Sequence, residues 1–305
     1  MPHLLGKLLT PEQIATRRAK RIQRRAAIGE DAKPTDVSNQ LFIEGSVRFY
    51  KRHFVIVEPE DTNPIAWPAK LEQSPKHILS LYMAALTNLY GENIRMAKIS
   101  PLLLTAAIPY TSICSSGQWR DSNVPTKKRE DDAHDLLVFP ESLRVYDVVP
   151  SQISNLVSMS LDKNLDFQAM LEKENFRYKR MEEGLHFMVC GHVARDKRCG
   201  CRGPELLQWL KTLTHKTNKS VHLYTSSHFG GHRYAASCIV YPRGDWFGLL
   251  NDKNKAKTML QAVHDEDPLQ LYELWRGRLG LTVEEMLQTV RKRVKKSHKS
   301  SSHVV

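Results

Sequence analysis

The sequence predicts an α/β fold, and two observations carry that prediction. From residue 135 onward, short apolar runs alternate with amphipathic stretches, and a strand pair with a closing helix follows them. Alternation of this kind builds a sheet covered by helices, because each strand must bury an apolar face against another element. The chain has 305 residues, 41% hydrophobic and 26% charged, enough core for one large domain or two smaller ones. Five cysteines, an odd number, argue against a disulfide framework. No apolar run is long enough to span a bilayer.

Residues 1–34 read as a basic helix. Thr10 can cap it, Pro11 fits the first turn, Gln13 can complete a capping box and Gly29 stops it. Ile14, Ala15, Ala19, Ile22 and Ala26 share one face, with arginines over the rest. Three readings fit: a mitochondrial targeting helix, an RNA-binding arm, or a solvated basic helix. Residues 35–134 read as an α+β region and loop. Phe54–Val57 is a strand, Pro59, Pro64 and Pro68 break the chain, and a helix runs from Ser74-Pro75 to Tyr90, closed by Gly91. An apolar run spans Pro101–Ile108, and a polar, exposed loop spans residues 115–134. This region shows no catalytic constellation and no internal repeat.

Residues 135–281 read as one α/β domain. Leu136-Leu-Val-Phe-Pro opens it, residues 148–161 are mixed, and Phe167–Met181 has a helical pattern. His186-Phe-Met-Val and Val221-His-Leu-Tyr read as strands, with a helix over Pro204–Leu213 between them. Ala235–Tyr241 and Trp246–Leu250 follow as extended runs, and Asn254–His264 as a helix. Residues 282–305 form a basic C-terminal helix and tail. The net charge of +12 belongs to the two ends: residues 1–33 hold eight Lys or Arg against three acids, and residues 290–305 hold six against none. The body is close to neutral, so basicity is no sign of a nucleic-acid groove on the folded part. It leaves the tails as solvated charge or as phosphate-binding arms.

The chemistry gathers between Phe187 and Pro242. Cys190 and Cys199 stand nine apart on a first loop, and His228 and His232 stand four apart on a second, each loop leaving a strand-like run. Two strand ends at one sheet edge can bring two thiolates and two imidazoles together, which makes a metal site. Zinc and iron–sulfur centres both accept these donors. Zinc sites usually hold paired cysteines two to four residues apart, so nine is a wide loop, suited to a larger two-iron cluster. The His-x-x-x-His pair lacks the Glu of a zinc-protease helix, and Gly230-Gly231 would weaken such a helix. Cys190-Gly-His192 begins like a Rieske box, but no second box follows Cys199. Cys201 is a rival of Cys199, and His192 is a rival imidazole. Cys238 reads as core, His222 as structural, and Cys114 has no partner pattern. Arg195, Asp196 and Arg198 sit on the cysteine loop, either bracing it or meeting a redox partner.

The run Cys190-Gly-His-x-x-Arg-Asp-x-Arg-Cys199-Gly, then Gly203-Pro-x-Leu, His228-x-x-x-His232-Arg and Tyr241-Pro-x-Gly-x-Trp246 resembles the sucrase/ferredoxin-like family. With Trp275-Arg-Gly-Arg-Leu-Gly-Leu281, it is most like the mitochondrial, altered-inheritance-of-mitochondria type. The resemblance spans about residues 135–282. It implies a thioredoxin-like ferredoxin domain over 135–281, with a [2Fe–2S] cluster held by Cys190, Cys199, His228 and His232. It favours Cys199 over Cys201. It implies a one-electron carrier of the mitochondrial matrix rather than an enzyme, with no catalytic residue and a protein redox partner. The C-terminal Ser-His-Val-Val lacks the aromatic end expected of some cytosolic relatives, which also favours the mitochondrion. The thioredoxin Cys-x-x-Cys is absent, so dithiol exchange is not expected. Two neutral imidazoles in place of thiolates make a cluster less negative and easier to reduce. The alternative is a structural iron–sulfur or zinc component of a mitochondrial ribosome or other RNA–protein assembly, its basic tails on RNA.

Overall fold

A computed structural model describes residues 43–91, 101–110, 133–161, 166–214 and 220–301, with residue 270 and residues 293–301 given by backbone alone. The chain divides into Met1–Phe42 and Ile43–Val305. The expected N-terminal helix, Cys114 and residues 115–132 of the polar loop lie outside the described residues.

The strands are β1 (Arg52–Val57), β2 (Leu102–Pro109), β3 (His134–Phe139), β4 (Leu143–Val148), β5 (Tyr178–Arg180), β6 (Leu185–Cys190), β7 (Val221–Ser226), β8 (Cys238–Tyr241), β9 (Asp245–Phe247) and β10 (Trp275–Arg278). The helices are α1 (Leu79–Tyr90), α2 (Ile153–Leu161), α3 (Phe167–Lys173), α4 (Lys197–Thr214), α5 (Lys253–His264) and α6 (Val283–Ser301). None of them, among the described residues, is long and apolar enough to cross a membrane.

All ten strands join one sheet, in the order β10-β9-β8-β6-β7-β2-β1-β3-β4-β5. This order contains a repeat of connectivity. In the first half β1 pairs parallel with β2, with α1 between them, and antiparallel with β3, which leads to β4 and β5. In the second half β6 pairs parallel with β7, with α4 between them, and antiparallel with β8, which leads to β9 and β10. The halves meet where β2 and β7 pair antiparallel over Ala107–Pro109 and Tyr224–Ser226. The repeat relates residues 52–180 to residues 185–278 and is not contained in the N-terminal region alone.

The sheet is folded along that seam. Four strands separate β3 from β8, which in a flat sheet means about 24 Å at the usual strand spacing. Yet Phe139 of β3 stacks on Tyr241 of β8 with 3.8 Å between ring centroids and 9° between planes. The inner faces of the two halves therefore pack on each other. Strand alternation explains which residues go where. On β1, Phe54 and Ile56 join the cluster under α1, α2 and α3, while Val55 joins the inner cluster with Phe139, Phe187 and Trp246. His53, also inward, bridges Tyr241 Oη at 2.7 Å and Thr105 Oγ1 at 2.8 Å. Tyr50 Oη lies 3.4 Å from Tyr241 Oη and accepts from Trp246 Nε1 at 2.6 Å.

Several local expectations change. The helix expected over Phe167–Met181 stops at Lys173, and Tyr178–Arg180 becomes the edge strand β5. The helix expected from Pro204 begins at Lys197, because the Asp196 side chain caps it by accepting the Arg198 backbone N–H at 2.9 Å. The strand expected from Ala235 begins at Cys238, and Trp246 sits in the three-residue β9.

Candidate metal centre

Cys190 is the last residue of β6, and Cys199 lies in the first turn of α4 rather than on a loop. The first turn can close on the strand end because residue 203 has no side chain. A Cβ on Gly203 would stand 2.3 Å from the carbonyl oxygen of Cys190. The parallel neighbour β7 ends at Ser226, next to Cys190 in register, and hands the chain to His228 two residues later. Side chains of Cys190, Cys199 and His228 then offer donor atoms within 4.8 Å of one another. Cys190 Sγ lies 3.9 Å from His228 Nδ1.

Both sulfurs are buried and His228 is half-buried. His232 is outside the group of three donors. Its ring centroid is 5.6 Å from that of His228, its side chain is 46% exposed, and its Nδ1 lies 3.5 Å from Asp196 Oδ2. The Cys190 thiol is pulled well below its ordinary pKa, first by the hydrogen bond from Cys199 and then by His228. The same contact pushes Cys199 up. The contact between the two buried sulfurs therefore favours the thiolate at Cys190, the form in which a sulfur binds a metal. His232 is lowered, mainly by burial, with Asp196 opposing the shift.

His192 is engaged through both ring nitrogens. Nε2 faces the carbonyl oxygen of Pro68 at 3.0 Å, and a carbonyl only accepts, so Nε2 carries the proton. Nδ1 is then left to accept the backbone N–H of His228 at 3.2 Å. The edge of Trp67 packs on the ring at 5.6 Å between centroids. Cys201 is exposed, while Cys199, two residues earlier on the helix, is 1% exposed. His222 stacks on His186 at 4.4 Å, Cys238 is buried beside Met259, and neither belongs to the group.

Sequence reasoning missed Arg276, whose only signal was its place in the Trp-Arg-Gly run. Its side chain is 1% exposed, and among the described residues it makes no ion pair with a carboxylate. It donates to Ser46 Oγ at 3.0 Å and to the Gly230 carbonyl at 3.3 Å, and lies over the rings of Tyr234 and Trp246. Burial lowers its pKa to about 10, and the two cysteines act in the opposite sense. The His228–His232 turn is moulded on it. Gly231 has φ +74°, and a Cβ there would stand 2.1 Å from the guanidinium.

The family model for sucrase/ferredoxin-like proteins matches residues 43–277, reaching well before the motifs that suggested the likeness. The chain is 27% identical over 242 residues to altered inheritance of mitochondria protein 32 of Eremothecium gossypii, covering 66% of this chain and 70% of that one. It is 23% identical over 256 residues to the protein of the same name from Debaryomyces hansenii, covering 81% and 88%. Actin patches distal protein 1 of Saccharomyces cerevisiae is 26% identical over 137 residues, covering 40% and 43%. No solved structure matches. With its matched span running through both halves of the sheet, the chain belongs to the sucrase/ferredoxin-like family.

Proposed function

We propose that the protein is a thioredoxin-like [2Fe–2S] ferredoxin, holding its cluster through Cys190, Cys199, His228 and His232 and carrying one electron in the mitochondrial matrix. The observation that carries this reading is the convergence of two buried sulfurs and one imidazole within 4.8 Å, with a second imidazole just outside. A single tetrahedral zinc, at about 2.0–2.3 Å from each donor, draws all four donors into one tight shell. Three close donors and a fourth set apart suit a two-iron group better. Succession of β6, α4, β7, β8, β9 and α5 supports the thioredoxin-like part. The names of the relatives support the mitochondrial part.

The cluster would supply a one-electron couple, higher in potential than an all-cysteine one because two ligands are uncharged. The chain's own residues do the rest. The β6 and α4 backbones keep the sulfurs dry, His192 positions His228 through its backbone, and Arg276 braces the turn between the histidines. His232 stands at the solvent edge, where its second nitrogen can exchange a proton.

Anaerobic purification followed by a visible spectrum and by iron and sulfide analysis tests the reading. Two irons and two sulfides per chain are expected, with reversible bleaching on reduction. A colourless protein holding one zinc would instead support the structural alternative. The RNA-assembly alternative rests on the basic ends. Residues 1–34 lie outside the described residues, and no contact in the described part favours it.

A further inference from the structure

The candidate centre opens to solvent on one side, and that side has a distinctive surface. Of the four donor residues, only His232 is exposed. Around it Arg195, Lys197, Arg198 and Arg233 are exposed, and Arg202 is half-buried. The one acid within these two loops, Asp196, is 12% exposed and occupied by Arg198, which grips it with two nitrogens at 2.8 and 3.0 Å. The charges of Arg195 and Arg198 act on His232 itself. This cationic collar belongs to the folded site and not to the basic ends that dominate the net charge.

The collar has an apolar flank. Arg195 donates to the Ala69 carbonyl at 3.4 Å, and His192 donates to the neighbouring Pro68 carbonyl, so the Pro64–Lys70 segment borders the site. In that segment Ile65, Ala66, Pro68 and Ala69 are exposed, Ile65 at 66%. A small apolar patch beside a mainly cationic rim, with Asp196 held by Arg198 and Glu72 behind the flank, is the anatomy of a brief protein–protein encounter, steered by charge and released quickly. Nucleic acid is a poorer fit, because it asks for a basic track and offers nothing to an exposed isoleucine.

We propose that this face docks an acidic redox protein, carboxylates over the collar and apolar side chains on the Ile65 flank, with the electron crossing at His232. The proposal rests on the cluster reading above, and its test separates the two. Arg195→Glu, Lys197→Glu and Arg233→Glu are combined in the full-length protein. A control with the same charge change carries Lys51→Glu, Arg180→Glu and Lys257→Glu, all exposed on other elements.

Reduced protein is oxidised by hexacyanoferrate(III), which takes one electron and becomes hexacyanoferrate(II), or by hexaamminecobalt(III), which takes one and becomes cobalt(II). The collar variant should react about tenfold slower with the anion and faster with the cation, in the range that local fields produce, while the control changes each by less than about twofold. Binding of poly-L-glutamate at moderate salt should be weakened by the collar variant and kept by the control. Equal rates in collar variant and control would overturn the proposal. So would a collar variant that loses an oligouridylate RNA but still binds polyglutamate. If the wild type carries no cluster, the cluster reading fails, and the polyglutamate comparison still decides the collar.

Discussion

The backbone N–H of His228 donates to Nδ1 of His192 over 3.2 Å, so one histidine is spent in placing another. Its other nitrogen is held by the Pro68 carbonyl. An imidazole with both nitrogens engaged has no lone pair to offer a metal. His192→Asn keeps a polar group near the same place and should retain the metal centre. His192→Leu should lose it to a chelator about tenfold faster, the size of effect usual for groups that orient ligands. Timed decay of the visible spectrum under chelator measures both.

Burial separates the two cysteines of the Cys-Gly-Cys pair. Cys199→Ser should abolish cluster binding, while Cys201→Ser leaves iron and sulfide content unchanged. His232→Cys should keep the cluster and lower its potential by on the order of 100 mV, since a thiolate adds a negative charge. A redox titration at several pH values checks this, and the pH dependence of the potential should shrink in the same variant.

Arg276 is a buried cation whose partners are carbonyl, hydroxyl and ring faces. Arg276→Met leaves the half-buried acceptors at Ser46 and Gly230 without their donor, each bond worth about 0.5–1.5 kcal/mol. It also removes a positive charge near the sulfurs. Both stability in urea and the potential should fall. Arg276→Lys restores the charge but not the fork of donors, so the potential should recover more than the stability.

His53 and His186 are buried and neutral, with pKa values lowered by burial to about 3 and about 4. In the unfolded chain each titrates near its ordinary 6.5. Above that pH neither state is charged and the full stability is present. As pH falls from about 6.5 toward 4, the unfolded state takes up protons that the folded state refuses, and stability is lost. Each histidine contributes about 1.4 kcal/mol per pH unit in that window. His53→Gln should be less stable at pH 7.5 but show a slope shallower by about that amount, measured by urea unfolding across the range.

Tyr241 Oη is the partner of His53 Nδ1 where the inner faces of the two halves pack together. Tyr241→Phe keeps the stack on Phe139 and removes only the hydroxyl. The loss should be about 1–3 kcal/mol, the cost of an unsatisfied buried group, with iron content unchanged. Calorimetry and iron analysis on the same sample test both parts.

How much of this was legible depended on the signal each element gives. Strands β1, β6 and β7 are apolar runs and were visible in the sequence. Strand β5 is a polar edge of three residues, and β10 reads Trp-Arg-Gly-Arg, so neither looks like a strand. The start of α4 was hidden because Gly200, Gly203 and Pro204 are poor helix formers. The Asp196 cap and the close approach at Gly203 outweigh them.

The sequence by itself determined the chemistry on offer: two thiols and two imidazoles, each pair following an apolar strand-like run, and a body with little net charge between basic ends. Tertiary structure alone decided that three of those donors meet, that His192 is occupied, that Arg276 lies beneath the turn, and that one sheet folds back on itself at β2 and β7. The reason is that these depend on contacts between residues as many as 230 positions apart, such as Arg276 with Ser46 and Trp246 with Tyr50. Local propensity and spacing carry no information about which distant faces will be pressed together.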